Sequence, residues 1–274
     1  MIKVLSLGAG VQSSTMALMY AQHELKPMPD CAIFADTQQE PLAVYDWLRW
    51  LETRLPFPIH QVSKGDLWVS ATRVRRTRDG KRTYIATAIP AFMVDGEKAG
   101  KGQRHCTRDF KIEPINRKVK DLIGRKRIYP RDGVLAEMLI GISTDEFMRM
   151  KPNPKSWIKS KWPLMDAGMS RGDCLAWMER NGYPLPPRSA CTFCPYRSDE
   201  QWLALTKAEF DDACVKELEL QAAYRVASEI RSVPYFHESR IPLRMVTLDA
   251  LKRRKMAAQQ RNLFNNECEG MCGV

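Results

Sequence analysis

The sequence lacks the features that would place it in a membrane or in a fibre. Its 274 residues contain no apolar run near the roughly 18 residues of a membrane-spanning helix, and no internal repeat or low-complexity segment. Residues 1–7 are too short and too weakly basic for a signal peptide and are better explained as a buried strand. With 44% hydrophobic and 27% charged residues, the composition is that of a globular protein. We therefore expect a cytoplasmic protein that does not bind membranes.

Acidic residues are too few to balance the basic ones. Lys and Arg total 43 against 32 Asp and Glu, which gives a formal net charge of +11. Such an excess favours polyanionic partners, above all phosphates. Six basic residues fall within positions 73–82, and shorter basic runs occur at 125–127 and 252–255. Contact with nucleic acid and a merely solvated surface both explain these runs.

Disulfide bonds are not expected, because the thiols of a cytosolic chain stay reduced and cysteines there more often serve metal or redox chemistry. Three of the eight cysteines lie in strand-like or helix-like stretches and are predicted to be small buried hydrophobes: Cys31, Cys174 and Cys214. The other five lie in different surroundings: Cys106, Cys191, Cys194, Cys268 and Cys272.

The most informative of these cysteines form the segment Cys191-Thr-Phe-Cys194-Pro. Its two-residue gap lets both sulfurs face one ion, and a proline after the second cysteine is typical of iron–sulfur loops. Cys106 lies between cations that favour its thiolate. We expect an iron–sulfur cluster rather than structural zinc, and either of these rather than a redox dithiol.

The first half of the chain alternates between strand and helix patterns, which is typical of a parallel sheet with crossover helices. Strands are predicted at 2–7, 31–35, 58–62 and 134–142, and helices from residue 11, after Pro41 and around 112–123. Residues 64–102 are predicted to form a long arm outside the core. After about residue 165 strands disappear, and residues 198–230 are predicted to be helical. The predicted fold is therefore an α/β, Rossmann-like domain (1–165), followed by a mostly helical C-terminal region (166–274) that carries the Cys-x-x-Cys segment and the terminal cysteines.

Residues 5–15 form a strand, a tight glycine turn and the start of a helix. That order directs backbone N–H groups and the positive end of the helix at whatever lies beyond the turn. Gly8 and Gly10 allow an anion to approach closely, and Ser13 and Ser14 add hydroxyl groups. The lysine of a Walker loop and the third glycine of a dinucleotide fingerprint are both missing. An ordinary strand–helix turn with a serine cap is the alternative to a phosphate site.

These residues resemble the PP-loop ATP pyrophosphatases, in the branch that contains the phosphoadenylyl-sulfate (PAPS) reductases and the ATP pyrophosphatases of DNA phosphorothioation systems. The loop of that family, Ser-Gly-Gly-x-Asp-Ser, matches residues 8–13, with Gly8 in place of the first serine and Gln12 in place of the aspartate. Further segments that resemble the family follow in the same order, at 34–45, 106–114, 141–149 and 183–195.

The resemblance implies a role for each matching residue. The nucleotide would be held by Ser6, Gly8, Gly10, Ser13, Ser14, Asp36 and Thr37. Lys111 and Arg149 would neutralise charge between the α and β phosphates, and Asp145 and Glu146 would hold Mg²⁺. For Asp145, Glu146 and Arg149 a surface salt bridge is the alternative. Cys106, Cys191, Cys194 and a terminal cysteine, Cys268 or Cys272, would ligate a 4Fe–4S cluster or, alternatively, zinc.

The function implied is that of an ATP pyrophosphatase that adenylates an acceptor, which the charge suggests is nucleic acid (DNA or tRNA). A sulfur donor protein would then allow sulfur to displace AMP, as in DNA phosphorothioate modification. One alternative is a sulfonucleotide reductase, because residues 266–270 resemble the end of those enzymes, although their histidine is missing here. Another is a non-catalytic, metal-stapled nucleic-acid-binding protein. Related enzymes commonly pair, so a homodimer is also expected.

Overall fold

The computed structural model describes residues 1–125, 127–227 and 231–247. In chain order the strands are β1 (Ile2–Ser6), β2 (Cys31–Asp36), β3 (Ile59–Ser63), β4 (Val74–Arg76), β5 (Thr83–Ile85), β6 (Phe92–Asp95), β7 (Lys98–Lys101), β8 (Ala136–Ile140), β9 (Ile158–Lys161) and β10 (Val233–Tyr235). The helices are α1 (Val11–Ala21), α2 (Leu42–Glu52), α3 (Leu67–Thr72), α4 (His105–Thr107), α5 (Glu113–Ile123), α6 (Pro163–Asp166), α7 (Arg171–Arg180), α8 (Asp199–Leu203) and α9 (Lys207–Val226). A π-helical turn (Arg108–Ile112) joins α4 to α5, and short 3₁₀ turns lie at Pro130–Asp132, Thr144–Arg149 and Leu243–Met245.

The described chain forms two structural units, each made of two separated stretches. The first unit comprises residues 1–65 and 107–190, and the second comprises residues 66–106 and 191–247. The predicted boundary at 165/166 lies inside the first unit, at the end of α6.

Five of the described strands form the parallel sheet of the first unit, in the order β3-β2-β1-β8-β9. The central strand β1 pairs with β2 on one side and with β8 on the other, so that Val4 lies opposite both Cys31 and Met138. After β1 the chain builds outward to β3, then returns to the other side of β1 for β8 and β9. The order of the sheet therefore reverses between β1 and β8. In open α/β sheets, ligands bind beyond the carboxyl ends of the strands at such a point.

Helices cover both faces of this sheet. One core cluster contains Leu5, Phe34, residues of α1, and Trp47 and Trp177 from α2 and α7. The other contains Ile33, Ile140 and residues of α5. Because successive strand residues point to opposite faces, Ile33 and Phe34 belong to different clusters. The predicted α/β fold with a helical C-terminal region is confirmed, and β9 is a strand that the sequence pattern did not predict.

The second unit corrects two predictions. Residues 64–102 are not an arm: they contain α3, the β4–β5 hairpin, β6 and β7, with Trp68, Ile89 and Ala91 buried. The strand β10 also lies beyond residue 165, and it pairs antiparallel with β6 in the sheet β10-β6-β7. Both errors have one cause, because the apolar partners of residues 66–106 lie far along the chain. The ring of Trp68 lies 4.8 Å from that of Phe193 and 6.3 Å from that of Phe236.

A buried glutamate fastens the end of the described chain to α9. Both oxygens of Glu217 accept backbone N–H groups, from Phe236 and from Leu243, at 2.7 Å each. Burial raises the pKa of Glu217 even though these donors act to lower it.

In the described part of the chain, every helix is too short or too polar to cross a bilayer.

Candidate functional site

The turn after β1 leads into α1 without a side-chain cap. Gly10 is the N-cap of α1 and provides no side-chain cap, and the first helical turn contains no acidic residue. Ala9 has φ of 57°, a left-handed conformation that is costly for a residue other than glycine. The Oγ of Ser13 accepts the N–H of Gly8 at 3.2 Å and donates to the carbonyl of Gly10 at 3.3 Å. The Ser13 hydroxyl thus holds the turn, and no side chain caps the N–H groups at the beginning of α1.

Gly141, directly after β8, packs against this turn. A Cβ added at Gly141 would lie 2.9 Å from the backbone nitrogen of Ser13 and 3.0 Å from its Cα. Farther along, the side chain of Gln12 donates to the Oγ of Ser143 at 3.4 Å. The carboxyl ends of β1 and β8 are therefore in direct contact at the point where the strand order reverses.

Gln12, which occupies the position of the aspartate in the family loop, belongs to a polar network. Its Oε1 accepts a hydrogen bond from the guanidinium of Arg171 at 3.1 Å. The backbone N–H of Arg171 donates to Asp145 Oδ1 at 2.9 Å. Burial acts to raise the pKa of Asp145, but hydrogen bonds from Ser143 and from the Arg171 N–H hold it below its usual value. Asp145 is therefore ionised and anchors the beginning of α7.

The predicted Mg²⁺ ligands both have protein partners. Asp145 accepts the Arg171 N–H, and Glu146 forms an ion pair with Arg149 in which both side chains are largely buried. Among the described residues, no three His, Cys, Asp or Glu side chains come close enough together to hold a metal ion. The residues present do not form a ready Mg²⁺ site, and Mg²⁺ at this pair stays a prediction.

A cleft lies beside the turn, with about 670 Å³ of empty space when the open solvent at its mouth is included. Its walls come from the ends of β1, β2 and β8 and from α5, and they are mostly apolar, as in sites that bind flat organic rings. Apolar lining is provided by Phe34, Ile115, Met138 and Ile140, and polar lining by Ser6, Lys111, Asn116, Lys151, Asn153 and Ser160. The side-chain amides of Asn116 and Asn153 bond to each other at 3.1 and 3.4 Å, which fixes both on one wall.

Lys111 lines the cleft and forms a buried ion pair. Its Nζ lies 3.1 Å from Oε1 of Glu40, and the side chains are 15% and 0% exposed respectively. Thr37 also donates to Glu40 Oε1, at 3.4 Å. The other oxygen, Oε2, is buried and has no hydrogen-bond partner in the described part of the chain. A buried carboxylate oxygen without a donor is costly, so a bound ligand that donates there would be favoured.

Asp36 ends β2 with its carboxylate already in use. Its Oδ1 accepts the hydroxyl of Tyr45 at 2.8 Å and the N–H of Gln38 at 2.7 Å. Burial, followed by the hydrogen bond to Asp36, raises the pKa of Tyr45, so this hydroxyl remains a donor. Through these two hydrogen bonds Asp36 fixes the conformation of the segment that contains Thr37 and Glu40.

The first unit thus contains every predicted nucleotide-binding residue, and its contacts separate them into groups. Ser6, Gly8 and Lys111 line the cleft, Gly10 and Ser13 form the turn, and Thr37 contacts Glu40. Ser14 differs, because it is 0% exposed and its Oγ accepts the indole N–H of Trp47 at 2.9 Å. This gives Ser14 a packing role, and its contact with phosphate stays a prediction.

Sequence reasoning overlooked several residues of this site. Glu40 belongs to a recognised motif, yet nothing local shows that it pairs with Lys111. Ser189 lies against the turn: a Cβ added at Gly10 would be 3.9 Å from its Cβ. The Oγ of Ser189 is buried and lacks a hydrogen-bond partner among the described residues. The sequence around Ser189, which follows a proline-rich loop, contains no pattern that predicts its contact with the turn.

The Cys-x-x-Cys segment belongs to the second unit. The N–H of Cys194 donates to the carbonyl of Cys191 at 3.0 Å and closes a turn. The buried guanidinium of Arg197 donates to the carbonyls of Thr192 at 2.9 Å and of Cys191 at 3.2 Å. Phe193 is inserted into the aromatic core of the unit, 5.8 Å from Phe236. The turn is thus fixed by its own side chains.

The predicted cluster ligands are described only in part. Cys106, Cys191 and Cys194 all belong to the second unit, whereas Cys268 and Cys272 lie outside the described residues. Because no group of three potential ligands converges within that part of the chain, an iron–sulfur cluster or zinc at these cysteines stays a prediction. Of the three cysteines predicted to be buried, Cys31 and Cys174 are buried and Cys214 is only half-buried. Burial raises the pKa of Cys31 to about 11, of Cys174 to about 12 and of Cys214 to about 11.

No protein-family model matches the chain, and no curated protein matches its sequence. Among solved structures, the chain is similar to phosphoadenylyl-sulfate (PAPS) reductase from Candida auris, determined as a phosphate complex. The two are 14% identical over 68% of this chain and 75% of that one, with a TM-score of 0.40. We draw no functional conclusion from a likeness of this degree.

Proposed function

We propose that the first structural unit binds ATP and transfers its AMP moiety to an acceptor oxygen, releasing pyrophosphate. The observation that carries the proposal is the glycine turn at the reversal of the strand order. There a helix start without a side-chain cap, the close contact of Gly141 with Ser13 and an apolar cleft lie together. A nucleoside triphosphate has the matching parts, namely a flat ring and a chain of anions.

The purine would occupy the apolar cleft. Phe34, Ile115 and Ile140 offer surfaces for a ring, and the paired amides of Asn116 and Asn153 offer hydrogen bonds at one wall. The buried Oε2 of Glu40 requires a donor, and a ribose hydroxyl is a donor of that kind.

The phosphates would lie against the turn, where backbone N–H groups and the positive end of α1 favour negative charge. Ser189, whose buried hydroxyl has no hydrogen-bond partner among the residues described, would add a donor next to Gly10. Lys111 lies at the edge of the cleft, where its charge would favour the negative charge that develops on the α-phosphate. The acceptor oxygen attacks the α-phosphorus, and the bond from that phosphorus to the α–β bridging oxygen breaks. Pyrophosphate leaves with the bridging oxygen and its electron pair, and a proton on a hydroxyl acceptor passes to solvent water.

The excess of basic residues supports nucleic acid as the acceptor, since +11 favours a polyanion. AMP is a good leaving group, so adenylation would prepare the acceptor for displacement by sulfur from a donor protein. The proposal does not depend on a metal at the cysteines of the second unit.

The test is pyrophosphate release from ATP by the full chain, measured with and without duplex DNA or tRNA. Ser13→Ala removes the hydroxyl that holds the turn and should lower the rate by about 100-fold, the effect of a displacement of about 1 Å at a reacting site. Ser156→Ala, the same change at an exposed serine outside the cleft, is the matched control and should leave the rate unchanged. Sulfite release from PAPS, without pyrophosphate release from ATP, would refute the proposal and indicate a reductase.

A further inference from the structure

The basic segment of the second unit is an ordered ribbon of two strands. Residues 73–85, here called the basic ribbon, contain the antiparallel pair β4–β5, in which Arg75 lies opposite Tyr84 and Arg76 opposite Thr83. The pairing continues into the turn, where the N–H of Thr77 donates to the carbonyl of Arg82 at 2.9 Å. These cations therefore have fixed relative positions.

The charge of the basic ribbon is almost entirely positive and lies on its surface. Its exposed cations are Arg73, Arg75, Arg76, Arg78, Lys81 and Arg82. Its single acid, Asp79, is committed to the turn, where it accepts from the Thr77 hydroxyl and from the Lys81 N–H at 3.1 Å. These hydrogen bonds lower the pKa of Asp79, so the carboxylate stabilises the turn.

The ribbon is anchored to α9 through Thr83, which belongs to the strand pair next to the turn. The Thr83 hydroxyl donates to the carbonyl of Val226 at the end of α9 at 2.8 Å. Val74, Ile85, Thr83 and Arg76 share one face, and Arg75 and Tyr84 share the other. By the same alternation Arg73 and Arg82 lie on the face of Arg75. Val74, Thr83, Tyr84 and Ile85 are half-buried, whereas the arginines of both faces are exposed.

The dimensions of the basic ribbon suit a specific kind of polyanion. Its two strands are about 4.8 Å apart, and three paired positions at about 3.4 Å each make it about 10 Å tall. The major groove of B-form DNA, about 12 Å wide and about 8.5 Å deep, admits such a two-stranded ribbon. The major groove of A-form RNA is too narrow for side chains to read.

We propose that the basic ribbon enters the major groove of duplex DNA and holds it mainly through phosphate contacts. In this complex the cations farthest from the turn would contact phosphates at the edges of the groove. The cations of the turn would lie within the groove. This rests on the proposed function only in identifying duplex DNA as the acceptor. Binding itself requires no ATP.

The experiment measures binding of the full chain to a fluorescein-labelled 24-base-pair duplex of arbitrary sequence, without nucleotide, between 50 and 300 mM KCl. Each phosphate contact contributes about 0.9 to the slope of log K against log salt. Replacing Arg75, Arg76 and Arg78 together by alanine should therefore flatten the slope by about 2.7 and weaken binding at 100 mM KCl by about 100-fold. The corresponding triple lysine variant keeps the charge and should bind within about fivefold of wild type.

The matched control removes three exposed cations of the first unit, Lys26, Lys159 and Arg180, by the same change to alanine. This control has the same net charge as the variant in which Arg75, Arg76 and Arg78 are replaced by alanine. It should keep the salt dependence and the DNA affinity of the wild type. Hydrogen exchange of the wild-type chain gives a readout that needs no variant, because residues 73–85 should become protected when the duplex is added.

Equal binding by wild type and the triple alanine variant, absence of protection at 73–85, or tighter binding of duplex RNA or single-stranded DNA would each overturn the inference. DNA binding without pyrophosphate release would support the binding of DNA by the basic ribbon and contradict the proposed function. Pyrophosphate release without DNA binding would support the proposed function and contradict DNA binding by the basic ribbon.

Discussion

The contact between Gly141 and the turn provides the sharpest test of the candidate site. In Gly141→Ala the new Cβ would lie 2.9 Å from the Ser13 nitrogen, 3.0 Å from its Cα and 3.2 Å from the carbonyl carbon of Gln12. All three atoms are backbone, so no side chain can rotate away. A normal contact requires about 0.5 Å more, and such overpacking costs about 1–3 kcal/mol.

Urea denaturation, followed by tryptophan fluorescence, measures the loss of unfolding free energy. Affinity for ATP should also fall, because the backbone of Ser13, which forms the proposed phosphate-binding turn, must move. Gly172→Ala is the matched control in the same unit: its Cβ would lie 3.6 Å from the Ser170 Oγ, an ordinary contact, at the beginning of a helix that favours alanine. If the two variants have the same stability and the same affinity for ATP, the packing of β8 on the turn does not matter and the reasoning fails.

Three further predictions concern buried ionisable groups. Lys111→Met leaves the Glu40 carboxylate buried without its cation and should cost about 3–5 kcal/mol in urea denaturation, whereas adding Glu40→Gln should restore most of it. Additive losses would contradict the pairing. The raised pKa of Glu217 means that the folded state binds this proton more tightly, so unfolding free energy should fall as pH rises from the usual glutamate range through the raised pKa. Glu217→Gln should make the unfolding free energy depend less on pH in this range. An unchanged pH profile would contradict the assignment of the decline to Glu217. With its pKa raised to about 12, Cys174 is about 10⁻⁴ thiolate at pH 8, so iodoacetamide should label it only after unfolding, and rapid labelling seen by mass spectrometry in the native chain would refute this.

The parts that the sequence predicted are those encoded locally. The strand, glycine turn and helix at residues 2–21 were predicted because glycine position, apolar burial and helical spacing all occur within one short stretch. The alternation that follows, as far as α2 and β3, was predicted on the same grounds. Hence the turn and four of the five strands of the sheet, all except β9, could be inferred from sequence alone.

The parts that were missed depend on partners distant in sequence. Glu40 and Lys111 are 71 positions apart, and Gln12 and Ser143 are 131 apart, so no local pattern links them. Ser14 shows another long-range contact that the sequence does not reveal. The indole N–H of Trp47, 33 positions away, donates to its hydroxyl, and contact of Ser14 with phosphate stays a prediction. Residues 64–102 were misjudged for a related reason, because the charges of the basic ribbon obscured the apolar residues on either side of it.

The interleaving of the two units determines the order in which they can mature on the ribosome. The first stretch of the second unit, residues 66–106, is made before the first unit is complete at residue 190. The rings that cover Trp68, those of Phe193 and Phe236, emerge later still, which at roughly 5–20 residues per second leaves Trp68 uncovered for several seconds of translation. A truncation that ends at residue 190 would make that exposure permanent. A fragment meant to retain the parallel sheet alone must therefore also lose residues 66–106.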